Sequence, residues 1–146
     1  MASIYRSGTV SVSPDVAWAF LEAYSRSEVH VFSACVAERQ VDDHRVVTTV
    51  DGREIWERIV TVDPVHRRAS YTVPGLNGAE YHHAEMRVDL DADEATTLTW
   101  ITDLIPHELA EQRASLYDGM FAELVAAVCA YGGAVTPDPR PTPAGR

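Results

Sequence analysis

The stretch that decides the fold is PHELAEQRASLYDGMFAELVAAVCAY, residues 106–131. Its apolar and aromatic residues recur at helical spacing, so one side of the helix must be buried. Pro106 suits a helix start, because the N–H that proline lacks would have no partner there. Gly132 and Gly133 follow, and glycine commonly ends helices. The stretch predicts one long C-terminal helix from Pro106 to Tyr131 that packs against the rest of the chain.

Most of the residues before this helix have the alternating pattern of β-strands. A first strand at residues 3–12 precedes a short helix at residues 16–24, with Ser13 as its N-cap and Pro14 at its first position. Residues 26–32 form either a second short helix or a loop. Six more strands are predicted at residues 34–41, 44–50, 53–62, 67–73, 81–90 and 96–104.

This order of elements predicts an α+β domain. A curved antiparallel β-sheet wraps around the long C-terminal helix, and two short helices follow the first strand. We expect the domain to cover residues 1–133. Residues 134–146 contain four prolines and are predicted to form an extended, mostly disordered tail.

The composition excludes several classes of function. The formal net charge is −10, which argues against binding nucleic acid or an anionic membrane. No apolar run reaches the roughly 18 residues of a membrane span, and the first ten residues lack the pattern of a signal peptide, so a cytoplasmic location is expected. The chain has no lysine, which excludes a lysine Schiff base and a phosphate loop.

The cysteines and histidines give no metal-binding pattern. Cys35 and Cys129 are far apart in sequence and are expected to be reduced, buried thiols. His82 and His83 are adjacent on a strand, so their rings point to opposite faces and cannot share one ion. His82 is either a satisfied interior histidine or a proton donor to a ligand. We expect no metal and no cofactor.

Turn lengths predict which strand residues face inward. A four-residue turn at residues 63–66 places the following residues together on the more apolar face: Trp56, Arg58, Val60, Tyr71 and Val73. A five-residue turn in the last hairpin places His82, Ala84, Met86 and Val88 opposite Leu104, Thr102, Trp100 and Leu98. The dipeptide Asp51-Gly52 predicts a two-residue hairpin turn.

The predicted interior is rich in large flat or flexible side chains and has few polar groups, which is typical of a ligand pocket. Its members are Trp56, Tyr71, Met86, Trp100, Tyr117, Met120 and Phe121, with Arg58, His82 and Thr102 as the polar groups. Met120, Phe121 and Leu124 are expected to form the floor. The alternative is a filled core, with Arg58 turned outward by a bulge or a register error.

Arg58 is the most informative of these residues. An arginine that faces an apolar interior must be paired, because a bare buried charge is too costly. Arg58 is therefore expected either to hold a ligand carboxylate or enolate, or to pair with Glu22, Glu28 or Glu38.

Three segments resemble the START-like superfamily called SRPBCC, and in particular its polyketide cyclase/dehydrase branch. They are ERIVTVDP at residues 57–64 leading into RRASY at residues 67–71, HHAEMRV at residues 82–88, and TLTWITDLIP at residues 97–106. The resemblance covers about residues 3–131. It implies a helix-grip fold, in which the sheet wraps the C-terminal helix around a cavity.

The resemblance also implies a small hydrophobic ligand, such as a polyketide intermediate, a lipid, a hormone or a quinone. Cyclases of this group use cavity arginine, tyrosine, histidine and tryptophan residues, and Arg58, Tyr71, His82 and Trp100 are of the right type. In an enzyme, Arg58 would hold an enolate while Tyr71 or His82 moves a proton. The alternative function is a non-catalytic carrier or sensor, either monomeric or homodimeric.

Overall fold

The computed structural model describes residues 3–134, which form seven strands, two α-helices and one short 3₁₀ turn at Leu76–Gly78. The strands are β1 (Ser3–Thr9), β2 (Cys35–Val41), β3 (His44–Thr49), β4 (Glu54–Asp63), β5 (Arg68–Thr72), β6 (Tyr81–Leu90) and β7 (Thr96–Ile105). The helices are α1 (Pro14–Ser25) and α2 (Glu108–Ala134). Apart from Ala134, which ends α2, the predicted tail lies outside the described residues.

All seven strands belong to one antiparallel sheet in the order β1-β7-β6-β5-β4-β3-β2. The sheet is curved and is not closed into a barrel. Helix α2 packs against β1, β7 and α1. The predicted α+β helix-grip architecture is confirmed.

The structure has one helix, α1, between β1 and β2, so the prediction of two short helices after the first strand is wrong. The Ser13 hydroxyl accepts a hydrogen bond from the Val16 N–H at 3.2 Å, which caps α1 as predicted. The helix ends at Ser25, and Ser27 has a φ of 60° in the left-handed region. The chain turns away there and cannot continue into a second helix.

Helix α2 starts two residues later and ends three residues later than predicted, at Glu108 and Ala134. Gly132 lies inside the helix and does not end it. A Cβ atom at Gly132 would collide with the side chain of Val12. The glycine is explained by this close approach between α2 and the segment before α1 rather than by helix termination.

The predicted register of the last hairpin is confirmed. Met86 pairs with Trp100, and Ala84 pairs with Thr102. The inward residues of β6 and β7 are buried: Met86 is 2% exposed and Trp100 is 3% exposed. The apolar alternation on these two strands fixes which face turns inward, because one face alone is covered by the rest of the molecule.

The predicted register of the hairpin between β4 and β5 is wrong. The loop runs from Pro64 to Arg67, and Asp63 therefore pairs with Arg68. Asp63 sets this loop, because its Oδ1 accepts hydrogen bonds from the N–H groups of Val65 and His66, both at 3.1 Å. A β-bulge between Ile59 and Thr61 shifts the register again.

This shift reverses the faces of β4. Val60 is 54% exposed and Trp56 is 42% exposed. The side chain of Arg58 is 63% exposed. Tyr71 and Val73 do line the interior, as predicted. The inward residues of β4 are instead Ile55 and Glu57.

Candidate ligand-binding cavity

A cavity of about 90 Å³ lies between the inner face of the sheet, α1 and α2. Six neighbouring strands, β2 to β7, contribute to its wall. Its lining is mostly aromatic and aliphatic and includes one ion pair. The lining residues are Tyr24, Phe32, Cys35, Arg45, Val47, Ile55, Glu57, Tyr71, Val73, Leu76, His82, Trp100, Tyr117 and Met120.

The indole of Trp100 is held between two aromatic rings. Phe32 stacks on it with ring centroids 5.6 Å apart and an interplanar angle of 23°. Tyr117 of α2 contacts it at a centroid distance of 5.0 Å. Such pairs add to the stability of aromatic packing. The indole is therefore fixed in orientation at the cavity wall.

Two buried polar atoms in this region, the indole Nε1 of Trp100 and the hydroxyl Oγ1 of Thr102, make no hydrogen bond of normal geometry within residues 3–134. Each lies near a tyrosine hydroxyl, Nε1 near that of Tyr71 and Oγ1 near that of Tyr117, and these contacts oppose the rise in the pKa of the two tyrosines. A buried polar group without a partner costs roughly 1–3 kcal/mol, and such groups are rare in folded proteins. Because Trp100 lines the cavity, its N–H is a donor that a bound molecule could satisfy.

His82 supplies a second donor. Its Nδ1 accepts a hydrogen bond from the Val73 N–H at 3.0 Å. This assigns the ring hydrogen of the neutral imidazole to Nε2. Burial, helped by His83, lowers the pKa of His82 to about 4. The ring is therefore neutral near pH 7, and its Nε2–H is a hydrogen-bond donor rather than a charged acid.

The cavity tyrosines are also donors. Burial raises the pKa of Tyr71 well above its usual value, and the nearby Tyr24 and Glu57 raise it further. Burial likewise raises the pKa of Tyr117. Both phenols stay protonated at neutral pH. Of the two residues proposed from the sequence to move a proton, Tyr71 and His82, neither is a base of useful strength in this environment.

A buried ion pair forms another part of the cavity wall. Arg45 is 2% exposed. Its Nη1 donates to Glu57 Oε1 at 3.0 Å, and its Nε donates to the Tyr24 carbonyl at 3.1 Å. Its guanidinium lies 3.9 Å from the centroid of the Tyr24 ring. Glu38 Oε1 is 3.8 Å from Nη2. The arginine is thus paired on several sides, as a buried charge must be.

The two members of this pair respond differently to burial. Burial raises the pKa of the Glu57 carboxyl, and Arg45 only partly opposes the rise. For Arg45, burial acts against the charge, but Tyr24 and Glu57 outweigh it and the pKa is raised. Arg45 therefore remains a cation. Glu57 is a carboxylate that takes up a proton more readily than an exposed glutamate does.

Five of the residues proposed from the sequence meet in this cavity: Tyr71, His82, Trp100, Tyr117 and Met120. Met86 is buried and borders a neighbouring void of only about 10 Å³.

The floor predicted from α2 is correct only at Met120. Leu124 is fully buried, with 0% exposure, but packs into the core with Val128 rather than bordering the cavity. Phe121 lies against Gly8 of β1. Tyr117 and Met120 are the α2 side chains in the cavity lining.

Trp56 and Arg58 lie on the outer face of the sheet, so their predicted place in the cavity is wrong. The Trp56 ring lies 5.5 Å from the His44 ring, and the Arg39 guanidinium is 5.9 Å from its centroid. Arg58 Nε is 3.3 Å from Asp43 Oδ2 on the exposed surface. The register shift of β4 is the physical cause of both errors.

Sequence reasoning missed Arg45 and Glu57, although one signal could have found them. The hairpin between β3 and β4 has a three-residue loop, with a hydrogen bond from the Thr49 N–H to the Arg53 carbonyl at 2.8 Å. Gly52 takes a φ of 87° in this loop, which is typical of a three-residue turn with a bulge. That loop length pairs Arg45 with Glu57. The assumed two-residue loop would have paired Arg45 with Arg58.

A surface depression of about 240 Å³ adjoins the cavity. The two share the side chains of Ile55, Val73 and Leu76. The 3₁₀ turn at Leu76–Gly78 forms part of its rim. These three side chains separate the cavity from solvent on this side.

The described residues offer no site for a metal ion, because no three His, Cys, Asp or Glu side chains within residues 3–134 are gathered to hold one. Cys35 and Cys129 are both free and partly buried. Neither α1 nor α2 is both long enough and apolar enough to cross a membrane.

Several solved structures share this fold. XoxI from Bacillus cereus superposes with a TM-score of 0.73 at 17% identity, covering 90% of this chain and 96% of that chain. A protein from Thermobifida fusca gives 0.69 at 25% identity, covering 91% and 95%. Norcoclaurine synthase from Thalictrum flavum gives 0.67 at 18% identity, covering 88% and 84%. Comparison with curated protein sequences gives no match.

The sequence itself matches one family over nearly all of the described domain. The match covers residues 1–130, and the family is described as "Polyketide cyclase / dehydrase and lipid transport". The cavity between sheet and helix lies within this range. This chain belongs to the polyketide cyclase/dehydrase and lipid transport family of the SRPBCC superfamily.

Proposed function

We propose that this protein binds a small apolar or aromatic molecule that carries a hydrogen-bond acceptor, in the cavity between the sheet and α2. The observation that carries the proposal is the Trp100 indole N–H, which is buried at the cavity wall without a hydrogen bond of normal geometry. A ligand oxygen at that point would satisfy a group that the folded chain leaves unsatisfied.

The volume of the cavity limits the size of the ligand. An apolar cavity of about 150 Å³ accepts benzene, whereas this one measures about 90 Å³. A single ring therefore needs some movement of the wall. Leu76 lies between the cavity and the surface depression. We infer that a ligand enters from the depression and displaces Leu76.

The polar lining favours a neutral ligand over a charged one. Arg45 is the cation of the lining, and it is already paired with Glu57. Trp100 and the neutral His82 offer N–H groups to an oxygen. Ketones, aldehydes and phenols fit this pattern, while a carboxylate would have to compete with Glu57 for Arg45.

Matched probes test the proposal. Acetophenone and cumene have similar shapes, but only acetophenone has a carbonyl oxygen. We expect acetophenone to bind more tightly by roughly 5- to 150-fold, since a satisfied buried donor is worth about 1–3 kcal/mol. Trp100→Phe should abolish this preference and leave the binding of cumene nearly unchanged. Calorimetric titration or NMR titration measures both affinities.

Trp18→Phe is the control, because the indole N–H of Trp18 is also buried without a partner within residues 3–134, but Trp18 lines neither the cavity nor the depression. This variant should keep the preference for acetophenone over cumene. Equal affinities for acetophenone and cumene, or equal effects of Trp18→Phe and Trp100→Phe, would contradict the proposal. Native mass spectrometry of freshly purified protein would detect a molecule that stays bound through purification.

A carrier and an enzyme are distinguished by turnover. Binding of the probes without any chemical change in them corresponds to the carrier or sensor function. The enzyme alternative is a cofactor-free lyase or isomerase of the cyclase or dehydratase type. Its chemistry requires a group in the cavity that accepts a proton near pH 7.

A further inference from the structure

We propose that Glu57 is the general base of this cavity and removes a proton from the carbon next to the carbonyl group of a bound ketone. The inference rests on the proposed function, because the ketone must first bind. Three observations support it. Glu57 lies in the cavity lining and accepts a hydrogen bond from Arg45. Trp100 and His82, on other strands, line the same cavity and carry N–H donors.

The carboxylate is held in place by its partner. Arg45 donates to Oε1 of Glu57 at 3.0 Å, and Arg45 is itself fixed by the Tyr24 carbonyl and ring. With Oε1 engaged in this way, Oε2 is the oxygen left for a ligand. The side chain of Glu57 is 14% exposed. A base needs this combination of fixed orientation and access to the ligand.

The environment favours proton uptake. Burial raises the pKa of the Glu57 carboxyl, which makes it a stronger base than an exposed glutamate. The charged and titratable groups that interact with it are Arg45 on β3, Glu38 and Cys35 on β2, Tyr24 on α1, Tyr71 on β5 and Tyr117 on α2. Of these, Arg45 alone is a cation, and its attraction for the carboxylate opposes the rise in the pKa of Glu57.

The reaction step balances without a cofactor. The C–H bond next to the carbonyl breaks, and its proton passes to Oε2 of Glu57. The electron pair of that bond forms a C=C bond, and the carbonyl π electrons move to oxygen to give an enolate. The N–H groups of Trp100 and His82 hydrogen-bond to the enolate oxygen. The proton on Glu57 exchanges with solvent, and transfer of a solvent-derived proton from Glu57 back to the carbon restores the ketone, so exchange of this hydrogen with solvent is the minimal activity.

The experiment follows hydrogen exchange in acetophenone. The methyl protons of acetophenone are next to its carbonyl, and their loss in D₂O is measured by proton NMR. We expect the unchanged protein to exchange them faster than buffer alone. Glu57→Gln should lower the catalysed rate by roughly 100-fold, the usual size of a general-base contribution, with the affinity for acetophenone kept within about threefold.

Glu85→Gln is the matched control, because Glu85 is also a strand glutamate paired with an arginine, Arg68, and its side chain is 19% exposed, but it lines neither the cavity nor the depression. It should exchange at the unchanged rate. Glutamine at position 57 can still accept the hydrogen bond from Arg45, and a melting curve of the variant checks that it folds. The pH dependence of the unchanged protein is a second measurement that needs no variant.

Once the exchange rate in buffer alone is subtracted, the rate catalysed by the protein should rise with pH as a carboxyl group ionises and should then level off. A rate that follows hydroxide concentration throughout would overturn the inference, as would equal rates for Glu57→Gln and the unchanged protein. If acetophenone binds but does not exchange, Glu57 is not a base and the binding proposal stands. If acetophenone does not bind, both proposals are wrong.

Discussion

His82 Nδ1 accepts a hydrogen bond from the backbone N–H of Val73 at 3.0 Å, and this single contact links the fold to the chemistry of the cavity. It holds the tip of β6 against the end of β5. It also fixes the histidine as a neutral donor toward the cavity. A protonated imidazole could not accept this hydrogen bond, because both of its nitrogens would be donors.

The first prediction concerns pH. In the folded protein the pKa of His82 is about 4, whereas in the unfolded chain it is about 6.5. The unfolded chain therefore binds a proton first as the pH falls. His82 lowers the free energy of unfolding between pH 6.5 and about pH 4, by roughly 2–3 kcal/mol at pH 4.5. Urea unfolding at pH 7 and pH 4.5 measures the loss.

His82→Gln should remove most of this dependence, because the glutamine oxygen can accept from Val73 but does not titrate. His107→Gln is the control, since the His107 side chain is exposed and is not among the groups that shift the pKa of His82. A similar loss of stability with acid in all three proteins would show that other groups cause it.

The second prediction compares two residues of α2. Leu124→Ala should cost about 2–5 kcal/mol, because the side chain is completely buried in packed core. Met120→Ala should cost less, because this side chain already borders the cavity. Met120→Ala should also alter the affinity for acetophenone. Equal losses of stability and unchanged binding would mean that the helix packs on a solid core.

The third prediction compares two arginines. Arg45→Met should destabilise the protein by about 3–5 kcal/mol, since it leaves Glu57 buried without its partner. Arg58→Met should change the stability by less than about 1 kcal/mol, because its pair with Asp43 is on the surface. Chemical denaturation measures both. The reverse order would place Arg58, not Arg45, inside the protein.

The fourth prediction uses two glycines of the same helix. A Cβ atom at Gly119 would meet nothing within 4 Å, whereas one at Gly132 would collide with Val12. Gly119→Ala should therefore stabilise the protein by about 0.5–1 kcal/mol through helix propensity. Gly132→Ala should destabilise it, because α2 must move away from Val12. Melting temperatures that rise for both variants would contradict the observed packing.

These residues also show how far the sequence predicts the structure. The inward faces of β6 and β7 follow from alternation alone, because the apolar side chains of Met86 and Trp100 lie opposite each other across the hairpin. Strand β4 has apolar residues on both faces, with Ile55 and Ile59 on one side and Trp56 on the other. The alternation pattern alone does not determine which face of β4 turns inward. The loop between β3 and β4 and the bulge in β4 determine it.

The candidate site depends on turns of this kind. A loop one residue longer than assumed before β4 pairs Arg45 with Glu57. The bulge between Ile59 and Thr61 then turns Arg58 outward, whereas the displacement of the loop to Pro64–Arg67 changes the pairing by two residues and leaves the faces as they were. Tyr71, Trp100 and Tyr117 could be predicted from periodicity, because they lie on β5, β7 and α2, whereas Tyr24 and Phe32, on α1 and the segment after it, were missed. Periodicity alone does not give the ion pair, because the pairing depends on the length of the loop between β3 and β4.

The place of β1 in the sheet has a consequence for the order in which the chain completes its fold during synthesis. Strand β1 is made first but pairs with β7, so Ser3 meets Asp103 across 100 residues of chain. At the usual speed of a ribosome, that interval is roughly 5–20 s. Through this time the β1 backbone has no native strand partner. The sheet can grow as a meander from β2 onward, and the first strand to leave the ribosome is among the last to join it.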